Sequence, residues 1–163
     1  MEQDTANRIE AITLDEATVI ARSDDIEKER EVALRDLVED NFFRPIRATG
    51  DGHAGPWHVH LEVVEGMLAW HLRDAGGTEA GTIGLGMARM RRAVRDYFAI
   101  CDSYYKALRR ASAQEIETID MARRGIHDRG TRHLLDALEG KVETDFETAR
   151  RLFTLICVLH IKA

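Results

Sequence analysis

The chain has 163 residues, of which 44% are hydrophobic and 32% charged, a balance that fits a globular protein and excludes disordered or membrane-embedded classes. The net charge of −6 speaks against broad nonspecific DNA binding, which needs an excess of Lys and Arg against the phosphates. The charge is uneven. Residues 1–40 carry 13 acidic and 5 basic side chains, whereas 87–111 carry seven basic residues against Asp96 and Asp102, and 121–133 carry four arginines against Asp128. Such segments either neutralise each other across the fold or leave a basic face for an anionic partner.

This length predicts one domain over 1–163, with residues 1–6 flexible. In chain order, Arg8–Leu14 reads as a short strand. Ser23 or Asp24 then caps a helix to about Asp40, with Ile26, Ala33, Leu34, Leu37 and Val38 on one face. Phe42, Phe43, Pro45 and the Gly50–Gly55 run read as loop. Trp57, Val59, Leu61 and Val63 alternate with polar residues, Glu65-Gly66 fits a two-residue turn, and Leu68, Trp70 and Leu72 resume the apolar face. Asp74–Gly77 turns again, and Thr78–Leu85 adds a strand. From Met87 the period becomes helical: Met87, Met90, Val94, Tyr97, Cys101, Tyr104 and Leu108 keep three-four spacing. Ser112 with Glu115 forms a capping box for the next helix, which Gly125 and Gly130 disturb; a short piece with Leu134, Leu135 and Leu138 ends near Gly140. Thr144 with Glu147 forms a second capping box, and the last helix, about Asp145–Ile161, turns apolar nearly all round from Leu152, so it is buried. These elements predict an α+β fold: a small antiparallel sheet covered on its apolar face by a C-terminal helical layer, with one additional N-terminal helix.

Cys101 and Cys157 sit inside helical apolar patterns without a CxxC spacing, so they read as reduced core residues of a cytoplasmic protein. The acidic N-terminus does not resemble a signal peptide, and the Leu152–Leu159 apolar run falls far short of the ~20 residues of a membrane span.

His58, His60 and His71 share one sheet face beside Glu62, a spacing that could converge on a metal. The opposite face holds the core residues, so the simpler expectation is a solvated polar face and no metal. The 87–108 stripe could form a homodimer seam, but a sheet needs a cover, so it is expected to pack within the chain. The segment Arg123-Arg124-Gly125-Ile126-His127-Asp128-Arg129-Gly130 reads as a polar turn between glycines. Two guanidiniums and an imidazole there could hold a phosphate or carboxylate, helped by free N–H groups of a helix starting near Thr131. The bland alternative pairs these arginines with Glu115, Glu117, Asp120 or the acidic N-terminal helix.

Beyond these patterns, RRAVRDYFAICDSYYKAL (91–108), IETIDMARRGIHDRG (116–130), GKVETDFETARRLFTLICVLH (140–160), RSDDIEKERE (22–31) and LVEDNFFRP (37–45) resemble the uncharacterised protein family (UPF) 0262, mainly alphaproteobacterial. That resemblance implies a small cytosolic bacterial protein and supplies no activity or catalytic residue.

The sequence therefore points first to a non-enzymatic binding or regulatory protein. Its basic surface of Arg91, Arg92, Arg123, Arg124 and His127 would engage a phosphorylated metabolite, RNA or an acidic protein, with no cofactor, no membrane and no sequence-specific DNA. The alternatives are an enzyme with His127 as acid/base and Arg123 and Arg124 as anion clamps, and a homodimer assembled through the 87–108 helix.

Overall fold

The computed structural model describes residues 6–15, 24–46 and 52–159; the expectations for residues 1–5, for Ser23 and for the start of the Gly50–Gly55 run lie outside them. The elements are β1 (Ile9–Leu14), α1 (Asp24–Glu39), β2 (Phe43–Pro45), β3 (Trp57–Val64), β4 (Met67–Arg73), β5 (Glu79–Gly86), α2 (Ala88–Arg110), α3 (Ala113–Leu138), β6 (Val142–Thr144) and α4 (Phe146–Leu159). The fold is α+β, as expected.

Strands β3, β4 and β5 form an antiparallel meander. Glu65 and Gly66 both adopt positive φ, 50° and 77°, which two-residue hairpin turns require to match the strand twist. The resulting register sets His60 opposite His71 and His58 opposite Arg73, as the alternation predicted. Strand β1 is added at the other edge of β3, but in parallel, so the sheet is mixed and runs β1-β3-β4-β5. A parallel pair needs a crossover rather than a tight turn, and the segment containing α1 supplies it.

Two short strands were not expected, the first of them lying where a loop was. Phe43–Pro45 pairs antiparallel with Val142–Thr144, joining distant parts of the chain. At three residues each, they are too short to show a period. Thr144 was expected to cap α4. Instead its hydroxyl donates to the Phe42 carbonyl at 2.6 Å, and Asp145 caps the helix by accepting from Thr148 N at 2.8 Å. Ser112 does cap α3: its Oγ accepts from Glu115 N and donates to Glu115 Oε1, both at 3.2 Å.

The buried apolar side chains form one cluster that joins the sheet face of Trp57, Val59, Leu61, Leu68, Trp70 and Leu72 to the helices. Helix α4 is its centre. Thr148, Ala149, Leu152, Phe153 and Leu155–Leu159 are all buried, and α1 and α3 lie against it. The α2 stripe from Met87 to Cys101 is likewise buried within the chain; only its end opens out, with Leu108 49% exposed. An assembly seam along this stripe would have only that last turn to offer. Cys101 and Cys157 are free and buried. Asn41 fastens the end of α1 to β1 by accepting from Ile9 N at 2.7 Å and donating to the carbonyls of Ile9 and Leu37.

The expected turn at 123–130 is corrected. Residues Ala113–Leu138 form one helix of 26 residues, so Thr131 lies in its interior and offers no free N–H groups. Glycine costs a helix only about 1 kcal/mol against alanine, and packing repays it. At Gly130 a Cβ would sit 2.2 Å from Phe153 Cζ, because the Phe153 ring fills the space a side chain would take. At Gly125 a Cβ would meet nothing within 4 Å.

These two glycines are expected to respond in opposite senses. Gly125→Ala should raise stability by up to about 1 kcal/mol through helix propensity. Gly130→Ala should lower it by about 1–3 kcal/mol through overpacking. Urea denaturation midpoints of the two variants check this, and a stabilised Gly130→Ala would mean that α3 and α4 are not in contact there.

Candidate functional site

Helices α1, α2, α3 and α4 line a cleft of about 570 Å³. Helix α1 contributes Asp25, Lys28, Glu29, Val32, Ala33 and Asp36, a spacing that places them along one side of a helix. Helix α3 contributes Arg123, Arg124 and His127, α4 contributes Glu147, Arg150, Arg151 and Thr154, and α2 adds Tyr97 and Tyr105. The volume falls in the range of small-molecule pockets, about 300–1,000 Å³.

The floor is polar and largely closed to water. His127 is 6% exposed, with Nε2 2.8 Å from Thr154 Oγ1. The Thr154 hydroxyl can donate to the Arg150 carbonyl at 3.3 Å, and in that arrangement His127 donates from Nε2. Its Nδ1 is buried without a hydrogen-bond partner, as is Arg150 Nε. The rings of Tyr97 and Phe153 meet His127 edge-on at 4.9 and 5.2 Å. Burial, reinforced by Arg150 and Arg123 and opposed by Asp128, pushes the imidazole down to about 4. His127 is therefore neutral at pH 7.

Glu29 lies at the centre of a second group. It accepts from Tyr97 Oη at 3.2 Å and stands 3.8 Å from Arg123 Nη1. Burial raises its carboxyl above the usual carboxylate range, partly offset by Arg123 and by hydrogen bonds from Tyr97 and Tyr105. Burial also pushes the Tyr97 phenol well up, as does the adjacent Glu29 charge. Arg123 lies over the Tyr104 ring at 4.7 Å. Burial alone would make it easier to deprotonate, but Asp120, Tyr97 and Glu29 hold it firmly charged.

Asp120 sits between both arginines. Its Oδ1 accepts from Arg123 Nη2 at 2.7 Å and its Oδ2 accepts from Arg124 Nε at 2.9 Å. The two guanidiniums, Arg124 first, hold the Asp120 carboxyl below its ordinary value. Arg109 pairs with Asp25 at 3.2 Å. The acidic and basic segments thus neutralise each other in part, the self-paired arrangement that the sequence offered as the bland one.

Of the five predicted surface residues, Arg123, Arg124 and His127 line the cleft, while Arg91 and Arg92 do not. Arg92 is 93% exposed, 4.0 Å from Asp96 on α2. The α2 residues that reach the cleft are Tyr97 and Tyr105, further along the helix than those arginines. Arg150 and Arg151 were not among the predicted residues; they lie within α4, just before its apolar stretch from Leu152. Glu29, Tyr97 and Tyr105 were read as helix surface or core edge, because nothing local tells that α1 and α2 face each other here. For His127 as an acid/base, burial is a disadvantage: Nε2 is engaged by Thr154 and Nδ1 is sealed from solvent.

The polar sheet face holds a second hollow of about 490 Å³, lined by His58, His60, His71, Arg73 and neighbours. The histidines there are engaged by nearby side chains: His71 Nε2 by Glu62 at 2.6 Å, His58 Nε2 by Glu10 at 2.9 Å and His60 Nδ1 by Thr13 at 2.6 Å. Among the described residues, no group of three or more His, Cys, Asp or Glu is placed to hold a metal ion. Among them, too, no helix is long and apolar enough to cross a membrane.

Fold and cleft together define an α+β protein whose helices enclose a charged, polar-floored hollow. The model of the "Uncharacterised protein family (UPF0262)" matches residues 6–162, and the chain belongs to that family. A UPF0262 protein of Erythrobacter litoralis is 58% identical over 156 residues, covering 96% of this chain and 98% of that protein. One of Novosphingobium aromaticivorans is 57% identical (95% and 97% covered), and one of Bradyrhizobium sp. strain ORS 278 is 52% identical (98% and 93%). No solved structure matches the chain.

The buried imidazole predicts a pH response. Unfolded, His127 titrates near 6.5; folded, it is pushed down to about 4. Between those values the unfolded chain binds a proton that the native chain does not, so stability is intact above about 6.5 and is lost as pH falls toward 4. The full shift corresponds to about 3 kcal/mol as an upper figure. The raised Glu29 carboxyl acts in the opposite sense, giving stability at low pH that fades as pH rises through its folded value. The difference between wild type and His127→Phe isolates the histidine. Urea midpoints taken between about pH 7 and pH 4.5 should fall less steeply in the variant; an unchanged slope would assign the acid sensitivity elsewhere.

Proposed function

We propose that the protein is a cytosolic, non-enzymatic binding or regulatory protein that holds a small anionic molecule in the cleft between α1, α3 and α4. The supporting observation is the convergence of Arg123 and Arg124 from one helix with Arg150 and Arg151 from another on a single hollow of about 570 Å³. Guanidiniums present planar donor forks that fit carboxylate and phosphate oxygens. Arg150 carries a buried Nε without a hydrogen-bond partner, and Arg124 remains 64% exposed beyond its contact with Asp120. A small molecule is favoured over RNA or an acidic protein because the arginines line a concave site whose other wall carries Asp25, Glu29 and Asp36. That wall would repel a polyanion but leaves room for a compact ligand.

Thermal shift against a panel of carboxylate and phosphate metabolites tests the reading. A ligand that binds the native state alone, present at about a hundred times its dissociation constant, should stabilise it by roughly 2.7 kcal/mol. The shift should shrink or vanish in Arg124→Ala/Arg150→Ala, which removes one cation from each helix. Absence of any shift across the panel, or an undiminished shift in the double variant, would count against the cleft as an anion site.

A further inference from the structure

We propose that the ligand of this cleft is a small zwitterion of the amino-acid type, its anionic end on the arginine wall and its ammonium end on the wall of α1; this rests on the anion-binding reading above. The cleft is divided by charge. On α1, Asp25, Glu29 and Asp36 face inward with a single cation, Lys28, among them; on α3 and α4, Arg123, Arg124, Arg150 and Arg151 face inward with a single acid, Glu147. Most of these charges are tied to their own side. Arg123 and Arg124 share Asp120 of α3, Arg150 stands 3.4 Å from Glu147 of α4 and 3.7 Å from Asp128 of α3, and Asp36 stands 3.7 Å from Arg35 of α1. Across the hollow, Arg123 Nη1 and Glu29 Oε1 form an ion pair at 3.8 Å, and Arg109 of α2 holds Asp25 at 3.2 Å.

Away from those pairs, Asp36 on α1 and Arg124, Arg150 and Arg151 on the other side still line the hollow, which a compact molecule can fill. A pure anion would bring its charge against Asp25, Glu29 and Asp36, and a pure cation would meet four guanidiniums. A molecule with both ends satisfies both walls and pays neither repulsion. Val32, Ala33 and the rings of Tyr97 and Tyr105 lie between the charged groups and suit an apolar body. The floor beneath carries two buried nitrogens without hydrogen-bond partners, His127 Nδ1 and Arg150 Nε, and the 94% burial implied by the 6% exposure of His127 marks it as an interior polar group beside a cavity.

Isothermal titration of the wild-type protein with the twenty L-amino acids, with the deaminated acid of each and with the decarboxylated amine of each, separates the possibilities. The expected result is at least one amino acid that binds at least about tenfold more tightly than both of its single-charge analogues, a difference of about 1.4 kcal/mol. In Glu29→Gln that amino acid should lose its advantage over the deaminated acid, while in Arg150→Gln both should weaken. Deaminated acids that bind as well as their parent amino acids would overturn the zwitterion and leave the anion site standing. Amines that bind as well would overturn both, as would a complete absence of binding by amino acids together with a silent metabolite panel. Binding confined to simple phosphates or carboxylates would overturn the zwitterion alone.

Discussion

The separation of α3 from α4 is set at Gly130, where the Phe153 ring occupies the space a side chain would need. The site follows from that approach. With α3 this close, the same ring meets His127 edge-on one helical turn earlier and also reaches Tyr97 of α2 at 6.0 Å. Three aromatic or imidazole rings from three helices are thereby locked into one floor, and Thr154, one residue after Phe153, lies within hydrogen-bond reach of His127. Interiors at crystal-like density transmit such constraints, because no ring can move without displacing its neighbours. The walls of the cleft stand on this floor, so the spacing of two backbones at one glycine fixes where four arginines are presented.

The electrostatics have a corresponding economy. A chain of net charge −6 concentrates its acids at one end and its arginines later, and the fold sets the two against each other. Some pairs close to hydrogen-bond distance, as at Arg109 and Asp25, and others are looser, as at Arg123 and Glu29 at 3.8 Å. Exposed pairs of the first kind are each worth little, at most about 1 kcal/mol. The half-buried group of Glu29, Tyr97, Tyr105 and Arg123 is of more consequence, because a low local dielectric strengthens each contact and penalises any polar atom left without one.

Much of the fold was legible in the residues. Alternation at 57–72 and the Glu65-Gly66 pair gave the hairpin and its register, and the apolar circumference after Leu152 marked α4 as buried. Three residues of the 123–130 segment, Arg123, Arg124 and His127, line the cleft, but the segment was expected to be a turn and is helix. Two glycines in an otherwise helical pattern signal a break when seen locally; only the Phe153 ring, 23 residues beyond Gly130, explains why one of them belongs inside a helix. Arg91 and Arg92 were grouped with it on charge alone, and charge carries no information about which way a helix faces. Glu29 and the tyrosines were missed for the complementary reason. Their chemistry arises from α1 and α2 meeting in space, and the β1–β3 parallel pairing that requires the crossover through α1 leaves no local mark in the sequence.

The order in which the cleft is made has a consequence for the nascent chain. One wall, α1, ends at Glu39, and the other is completed only by α4, which begins at Phe146. The short β2–β6 ladder likewise joins Phe43 to Thr144. During synthesis the hairpin of β3 and β4 can pair as soon as it leaves the ribosome, since its contacts are local. The cleft cannot, because its loop of intervening chain spans most of the protein and must be closed against its entropy. An emerging chain therefore has no partly formed version of this hollow to offer a ligand. The last helix must dock before the hollow exists, and a molecule held there would bind the finished fold rather than any piece of it.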